Sequence, residues 1–236
     1  MIKLKIKGTE KEYEVKPSKI VAIGLNYREH IAESHSVKVK GFEPEIPEEP
    51  ILFPKTPNVL VGPGEAIIIP KFLQEYNFDI IRVDHEAELA FIVKDRCKNV
   101  PAERAMDHIL GFTCMNDVSQ RNIQTSDKSG WFRGKSLDTF GPIGPEVVLT
   151  EDIGDPQALD ITCRLNGKVV QDSNTRQMIF SVAELLAFIS KNFTLEAGDI
   201  VATGTPSGVG PIKGGDTVEV EVEKIGVLSN PVVQEQ

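Results

Sequence analysis

The stretch DHEAELAFIV, residues 84–93, decides how this chain folds. Written as a β-strand, it places alternate side chains on opposite faces. One face carries carboxylates at its start and apolar residues at its end: Asp84, Glu86, Glu88, Ala90 and Ile92. The opposite face is apolar from Ala87 onward. We therefore predict a strand buried on both sides, with Glu86 and Glu88 at the mouth of a buried region, where like charges need a cation or must take up protons.

A second stretch, TVEVEVEK at residues 217–224, has the same Glu-x-Glu spacing as Glu86 and Glu88. Its glutamates occupy one face and its valines the other, which is the pattern of a half-buried strand. The Glu-x-Glu spacing alone therefore does not indicate a site. The apolar continuation after Glu88 is what distinguishes the first stretch.

The composition limits what the chain can bind. Its 236 residues, 40% hydrophobic and 26% charged, predict one domain with an appendage or two small domains, and they suffice for a single sizeable core. A net charge of −9 argues against nucleic acid and anionic membranes as partners, but a small anionic substrate is compatible with it because a local cation can reverse the field. Scattered cysteines without a C-x-x-C motif predict a reduced, cytoplasmic protein. No apolar run approaches the ~20 residues of a membrane span.

The order of the predicted elements favours a β-rich α+β fold. Residues 1–18 predict a small β-hairpin appendage, and residues 161–171 predict a hairpin with an Asn-Gly turn. Residues 181–193 predict an amphipathic helix. Residues 27–50 start with helical composition and become rich in proline and glutamate, which predicts a lid over a site. Strands outnumber helices without a βαβ alternation, so we predict a rolled or sandwiched sheet over residues 19–236.

Asp117 ends an apolar strand and precedes a short helix. Its side chain either caps that helix or converges with Glu86 and Glu88 as a third carboxylate. Three carboxylates without a neighbouring cluster of cysteine or histidine favour a hard divalent ion, Mg²⁺ or else Mn²⁺ or Ca²⁺.

Other polar side chains are candidates for the same site. His30 and Glu33 are three positions apart on a predicted helix and share one of its faces. A carboxylate that holds an imidazole makes a general base for water, although exposed His-Glu neighbours are common. Lys135, between turn residues, is either a surface lysine or part of the site. Three more side chains are candidates for the same site: Arg121, Gln124 and Thr205.

Seven motifs follow one another through roughly residues 19–215: IVAIGLNYREHIAE, LVGPGEAIIIP, VDHEAELAFIV, GFTCMNDVSQRNIQ, RGKSLDTFGPIGP, LNGKVVQDSNTRQMIFSVAELLAFIS and LEAGDIVATGTPSGVGP. Their order resembles the fumarylacetoacetate hydrolase family, in its short single-domain branch of acylpyruvases, oxaloacetate decarboxylases and isomerases. This collinearity is more specific than any single motif. The chain departs from the family at His85, where the family often has tyrosine.

The resemblance implies a role for each candidate residue. It implies Mg²⁺ ligands at Glu86, Glu88 and Asp117. It implies that Lys135 is an active-site lysine and that His30 and Glu33 form a dyad on the lid. It also implies three contacts to the carboxylate end of the substrate: Arg121, Gln124 and Thr205. It also implies the mixed β-roll of the family's C-terminal domain, with few helices, usually assembled as a homodimer.

The activity implied is Mg²⁺-dependent cleavage of a C–C bond in a small anionic 2-oxo acid, as in an acylpyruvate hydrolase, through a metal-stabilised enolate. His30 and Glu33 favour hydrolysis, because together they would activate water. Oxaloacetate decarboxylation and isomerisation of a 2-hydroxy-diene-dioate would use the same site, and they stay open as alternatives.

Two interpretations belong to other classes of protein. In a retaining glycoside hydrolase, Glu86 and Glu88 would act as a carboxylate pair ~5–5.5 Å apart without metal, but such sites stack sugars on aromatic rings, and this chain has one tryptophan and three tyrosines. In a non-catalytic protein, the same carboxylates would hold a structural ion.

Overall fold

The computed structural model of the chain describes residues 1–33, 46–128 and 130–236, and the side chains of all of these except 31–33. The predicted lid over residues 27–50 therefore lies largely outside the described residues, and its role as a lid stays a prediction.

Strands are the most common secondary structure among the described residues. The strands are β1 (Lys3–Ile6), β2 (Glu12–Glu14), β3 (Ile20–Gly24), β4 (Ile51–Lys55), β5 (Leu60–Val61), β6 (Ile67–Ile69), β7 (Val83–His85), β8 (Ala87–Val93), β9 (Ile109–Asn116), β10 (Ser119–Gln120), β11 (Gly141–Leu149), β12 (Asp160–Leu165), β13 (Lys168–Asn174), β14 (Ile200–Ala202), β15 (Gly210–Ile212), β16 (Thr217–Val222) and β17 (Gly226–Gln234). The α-helices are α1 (Arg28–Glu33), α2 (Arg121–Ser126), α3 (Phe132–Lys135), α4 (Thr150–Ile153) and α5 (Val182–Asn192), and 3₁₀ helices occur at Pro57–Val59, Lys71–Glu75, Ala102–His108 and Thr175–Gln177. The prediction of a β-rich α+β fold with few helices is confirmed.

The strands form mixed sheets. Within the described chain, the largest sheet has nine strands in the order β2-β1-β11-β9-β8-β14-β3-β4, with β5 paired to β11. A five-stranded sheet, β13-β12-β16-β17-β6, packs against it, and β10-β7-β15 forms a small third sheet. The N-terminal hairpin joins the largest sheet because β1 pairs in parallel with β11. The division of the chain into an appendage and a catalytic domain stays a prediction.

β8 is buried along its whole length because it lies inside the largest sheet with apolar clusters on both faces. Leu89 and Phe91 belong to the core between the two larger sheets, whereas Ala90 and Ile92 belong to a second cluster on the other face. Burying a side chain such as Leu89 or Phe91 contributes about 1.5–3 kcal/mol. The prediction of a strand buried on both sides is confirmed.

β16 provides the predicted contrast. Its valines are buried, Val218 and Val220 being 1% exposed, whereas Glu219 and Glu221 on the other face are half-buried. The same Glu-x-Glu spacing therefore lies on a solvated face in β16 and in the interior in β8.

The predicted hairpin and amphipathic helix are present. β12 and β13 are antiparallel and are joined by Asn166 and Gly167, which have φ values of 53° and 78°; positive φ at both positions suits the Asn-Gly turn. α5 begins with a capping box, in which the Ser181 N–H donates to the Glu184 carboxylate at 2.7 Å and the Ser181 hydroxyl accepts from the Glu184 N–H. None of the described helices is long and apolar enough to cross a membrane.

Candidate active site

Three carboxylates meet where β8 begins and β9 ends. Glu86 precedes β8, Glu88 lies on it, and Asp117 follows β9. Because β8 and β9 are antiparallel, with Ala87 opposite Asn116, the start of one strand lies beside the end of the other. The Asp117 N–H extends this pairing by donating to the Glu86 carbonyl at 2.9 Å. One ligand atom from each carboxylate lies within 4.8 Å of the others, and all three residues are at most 5% exposed.

The alternative in which Asp117 caps the following helix is wrong. Gln120 is the N-cap of α2, since its side-chain oxygen accepts from the Ile123 N–H at 2.6 Å. Asp117 instead accepts from two ammonium groups, that of Lys55 at 2.5 Å and that of Lys135 at 2.6 Å. Asp117 therefore belongs to the carboxylate cluster.

Lys135 bridges two of the carboxylates and is not a surface lysine. Its Nζ lies 2.8 Å from Glu86 Oε2 and 2.6 Å from Asp117 Oδ2, and the side chain is 2% exposed. The preceding Gly134 permits this approach of α3, because a Cβ there would lie 2.8 Å from the Gln120 carbonyl oxygen. Burial by itself lowers the pKa of Lys135, but Asp117 and Glu86 more than offset this and the net pKa is raised. Lys135 therefore carries its positive charge inside the protein.

Lys55, at the end of β4, is a site residue that sequence reasoning missed. Its side chain is fully buried, and its Nζ donates to Asp117 Oδ1 at 2.5 Å and to the Val118 carbonyl at 3.3 Å. Burial lowers the pKa of Lys55, and Asp117 offsets this only in part. The position of Lys55 in its strand could have revealed it, because Lys55 shares the buried face of β4 with Phe53. A lysine on the apolar face of a strand needs a buried carboxylate.

Arg121 supplies the third buried cation. Its Nε donates to Asp84 Oδ2 at 2.8 Å, its Nη1 donates to Gln124 Oε1 at 2.8 Å, and its Nη2 donates to Glu86 Oε1. Three of the five guanidinium N–H groups are thus engaged within the protein. The predicted contact of Arg121 with a substrate stays a prediction, as do those of Gln124 and Thr205.

Within the described residues, four buried carboxylates lie near three buried cations at this place: Asp84, Glu86, Glu88 and Asp117 near Lys55, Arg121 and Lys135. The partly exposed Arg82 adds a fourth cation, since its Nε lies 2.9 Å from Asp84 Oδ1. Glu86 lies between two of the cations. Burial would raise its pKa, but Lys135 and Arg121 reverse that and hold the pKa of Glu86 below its usual range.

Among the described residues, Glu88 is the carboxylate of this group that forms no ion pair. Its Oε2 accepts from the Gly204 N–H at 2.8 Å, whereas its Oε1 has no hydrogen-bond partner among the described residues. Burial, followed by the charges of Asp117 and Glu86, raises the pKa of Glu88 well above its usual range. An orphaned buried carboxylate oxygen beside two other carboxylates fits the ligand preference of a hard divalent ion. Such an ion would neutralise Glu88 and add positive charge to the cluster.

A cavity of about 20 Å³ lies beside the carboxylates. Five of the sequence-predicted residues line it: His30, Glu86, Gln124, Lys135 and Thr205. Its apolar wall includes Phe53 and Trp131, whose rings meet edge to face with centroids 5.2 Å apart. The Lys135 Nζ lies 4.9 Å from the Phe53 ring centroid. The side chain of Glu33 lies outside the described residues, so its pairing with His30 stays a prediction.

Gln171 on β13 is a second residue that sequence reasoning missed. Its Nε2 donates to the Thr205 hydroxyl at 2.8 Å, and its Oε1 accepts from the Ala87 N–H at 3.0 Å. The Thr205 hydroxyl donates in turn to the Ala87 carbonyl at 2.8 Å. Gln171 Oε1 also lies 3.2 Å from Nδ1 of His85, the residue that departs from the family pattern. The five-stranded sheet thus fixes the backbone between Glu86 and Glu88 through one amide.

Comparisons with known proteins identify the family to which this chain is similar. The model of the fumarylacetoacetate (FAA) hydrolase C-terminal family matches residues 19–233. A mitochondrial oxaloacetate tautomerase of Xenopus laevis is 44% identical over 226 residues, covering 92% of this chain and 66% of that protein. The crystal structure of 5-carboxymethyl-2-hydroxymuconate delta-isomerase from Mycobacterium smegmatis is similar with a TM-score of 0.81 and 38% identity, covering 97% of this chain and 87% of that one. Fumarylpyruvate hydrolase from Pseudomonas aeruginosa, crystallised with Mn²⁺ and pyruvate, is similar with a TM-score of 0.83 and 28% identity, covering 99% and 96%.

Proposed function

This chain belongs to the fumarylacetoacetate hydrolase family, through its match over residues 19–233, and from that premise we propose that it cleaves a C–C bond in a small 2-oxo acid with a divalent ion, first of all Mg²⁺. The proposed substrate is an acylpyruvate, which water converts into pyruvate and a carboxylic acid. Membership of this family leaves the glycoside-hydrolase interpretation without support.

The orphaned Oε1 of Glu88 is the observation that carries the proposal. It lies with the oxygens of Glu86 and Asp117 in a buried cluster, in which Glu88 forms no ion pair among the described residues. Its neighbours Glu86 and Lys135 line the cavity. These carboxylates would hold the ion, which would supply positive charge to the carboxylate and keto oxygens of a 2-oxo acid.

The side chains around the cavity suit the charge changes of acylpyruvate hydrolysis. Water adds to the distal carbonyl, the C–C bond breaks, and its electron pair passes to the enolate of pyruvate, which then takes up a proton. The Lys135 ammonium would stabilise the negative charge that develops on the enolate oxygen. His30 would accept the proton of the attacking water. Phe53 and Trp131 would keep bulk water away from the reacting atoms.

Keto–enol conversion of oxaloacetate is the second candidate function, favoured by the 44% identity to the Xenopus tautomerase. This reaction moves one proton between oxygen and carbon and needs no attacking water. The same cavity would serve, with Lys135 beside the enolate oxygen. Pyruvate formation separates the two candidates, because only C–C cleavage produces it.

The direct experiment is to follow the ultraviolet absorbance of the enol forms of acetylpyruvate and oxaloacetate. We expect loss of acetylpyruvate with equimolar pyruvate, a fall in rate of about 100-fold or more when EDTA removes the metal, and recovery with excess Mg²⁺ or Mn²⁺. Pyruvate is measured separately with lactate dehydrogenase.

The control for this experiment is the metal alone at the same concentration, because divalent ions act on oxaloacetate without protein. Loss of the oxaloacetate enol without pyruvate would favour the tautomerase. Failure to consume either compound, with metal shown to bind by calorimetry, would contradict the proposal and favour a protein that only binds the ion.

Replacement of His30 by alanine tests the assignment of the water-activating base. We expect the rate of acetylpyruvate hydrolysis to fall by about 10²–10⁴-fold. The rate at which the oxaloacetate enol disappears should fall far less, because no water attacks in that reaction. Calorimetric metal affinity serves as the control and should not change. Equal losses in both reactions would contradict the role of His30.

Two further expectations, assembly as a homodimer and location in the cytoplasm, stay predictions. The exposed apolar side chains of Phe72, Tyr76 and Phe132, each 37–41% exposed, support a contact between copies. Light scattering that returned the mass of one chain would contradict the dimer.

A further inference from the structure

A second group of ligating side chains lies outside the carboxylate cluster. Asp95, Cys97 and His108 each offer a ligand atom, and these atoms lie within 4.8 Å of one another. His108 Nδ1 is hydrogen-bonded to Asp95 Oδ1 at 2.6 Å. The three side chains range from exposed to buried: Asp95 is exposed, His108 is half-buried and Cys97 is 5% exposed.

Backbone pairing holds this group together. Asp95 and Cys97 follow the end of β8, and His108 immediately precedes β9. The N–H of Lys94 donates to the His108 carbonyl at 2.8 Å, which ties the two ends of the connection. Cys97 exchanges two backbone hydrogen bonds of 3.0 Å with Leu195. The ligating atoms therefore share one place without any rearrangement of the main chain.

The local charge favours a cation at Cys97. A carboxylate oxygen of Asp95 lies within 4.8 Å of the Cys97 sulfur, and the Cys97 side chain is only 5% exposed. Three cations near the group are engaged elsewhere: Lys19 with Asp199 at 2.5 Å, Arg96 with Glu196 at 3.1 Å, and Lys98 with the Lys191 carbonyl at 2.8 Å. A bound metal ion would neutralise Asp95 and stabilise the Cys97 thiolate.

The group is far from the candidate active site. Asp95 lies seven positions after Glu88 along an extended strand. At about 3.3 Å per residue, the two sites are separated by roughly 20 Å along β8. The cleavage chemistry proposed above uses none of the three side chains.

We propose that Asp95, Cys97 and His108 form a binding site for a borderline divalent metal ion, Zn²⁺ in particular, that clamps the connection between β8 and β9. A sulfur, a nitrogen and a carboxylate oxygen suit Zn²⁺, and they do not suit Mg²⁺. Water would complete the coordination. The ion would join residues 95–97 to His108 across the 3₁₀ helix at Ala102–His108 and so resist opening of this connection.

Co²⁺ is the probe that tests the site, because it replaces Zn²⁺ and gives an ultraviolet charge-transfer band only when a thiolate coordinates it. The carboxylate cluster offers only oxygen and cannot produce that band. We expect the band in the native protein and in Glu88→Gln, and its loss in Cys97→Ser. Asp95→Asn should weaken Co²⁺ binding by about 10- to 100-fold, and Zn²⁺ should displace Co²⁺ and abolish the band.

Cys163→Ser is the matched control, since Cys163 is buried with its sulfur 3.4 Å from Nδ1 of His85 and is the other cysteine beside a histidine in the described chain. The band should persist in that variant. Zn²⁺ should also raise the unfolding temperature of Glu88→Gln but not that of the double variant Glu88→Gln/His108→Ala. His108 is half-buried, so this pair of variants tests the site if Cys97→Ser does not fold. Absence of a thiolate band in folded native protein with excess Co²⁺, or its survival in Cys97→Ser, would overturn the proposal.

Discussion

Replacing Glu88 by glutamine is expected to lower metal-dependent turnover by about 10³-fold or more while the metal-free protein stays folded. Glu88 supplies the orphaned oxygen of the carboxylate cluster. A neutral amide oxygen is a far weaker ligand for a hard divalent ion than a carboxylate oxygen. The rate should fall because the ion is lost, so calorimetry should show a parallel loss of Mg²⁺ or Mn²⁺ affinity.

The fold should tolerate this change. The amide oxygen of glutamine can still accept from the Gly204 N–H, which donates to Glu88 Oε2 at 2.8 Å. The raised pKa of Glu88 means that its side chain tends to be neutral without metal, so glutamine matches it in charge and shape. We expect the free energy of unfolding of the metal-free protein to change by no more than about 1 kcal/mol.

Glu219→Gln is the matched control, because Glu219 has the same Glu-x-Glu spacing on the half-solvated face of β16. That variant should keep native turnover and metal affinity. Undiminished turnover of Glu88→Gln at saturating metal would contradict the assignment of Glu88 as a ligand. Unfolding of Glu88→Gln would indicate a structural role for the carboxylate.

The charge of the site also resolves the conflict between an anionic substrate and a chain with a net charge of −9. Asp84, Glu86 and Asp117 are already paired with cations, so a divalent ion beside Glu88 would leave the site with a positive charge. A negative surface weakens long-range attraction of an anion, but the local field inside a buried site is set by the nearest charges. Substrate affinity should therefore depend on the metal much more than on the surface.

The sequence predicted those parts of the structure that local patterns determine. The continuation of the Glu86 and Glu88 face into Ala90 and Ile92 was enough to predict a strand buried on both sides. No local pattern predicted the order of the strands in the sheet. Ala202 on β14 lies between Ala90 on β8 and Ala22 on β3, and both of these strands are far from β14 in the sequence. Pairing over such distances depends on the packing of the whole core.

In the candidate site, too, the residues with a local pattern could be predicted and those that depend on distant contacts could not. The carboxylates were visible because two of them share one strand and the third ends the next strand. Lys55 could not be recognised from the sequence, because its partner Asp117 is 62 positions away and an isolated lysine usually lies on the surface. For Asp117, the local rule for helix caps competed with the tertiary arrangement, and Lys55 and Lys135 decided the outcome.

Replacing Lys55 by methionine is expected to lower the free energy of unfolding of the metal-free protein by about 3 kcal/mol or more. Methionine fills a similar volume but leaves Asp117 Oδ1 buried without the ammonium that lies 2.5 Å away in the native protein. Desolvation of that carboxylate oxygen is then compensated only by Lys135, which bonds the other oxygen. Urea denaturation in EDTA measures the loss.

Lys19→Met is the matched control, because the Lys19 Nζ also lies 2.5 Å from a fully buried aspartate, Asp199. The Lys19 side chain is 33% exposed, and Asp199 accepts from other donors of three residues, Ser18, Lys19 and Glu196. The loss should therefore be about 1 kcal/mol or less. Equal losses in the two variants would contradict the argument that burial makes Lys55 important.

A double-mutant cycle then separates the charge of Lys55 from its packing. If the ammonium stabilises the fold by neutralising Asp117, the change Lys55→Met should cost much less in the background Asp117→Asn, where no buried carboxylate is left unpaired. We expect a coupling of about 1–3 kcal/mol between the two positions. A coupling near zero would show that methionine fails only by shape, and that Lys55 does not hold the third carboxylate in place.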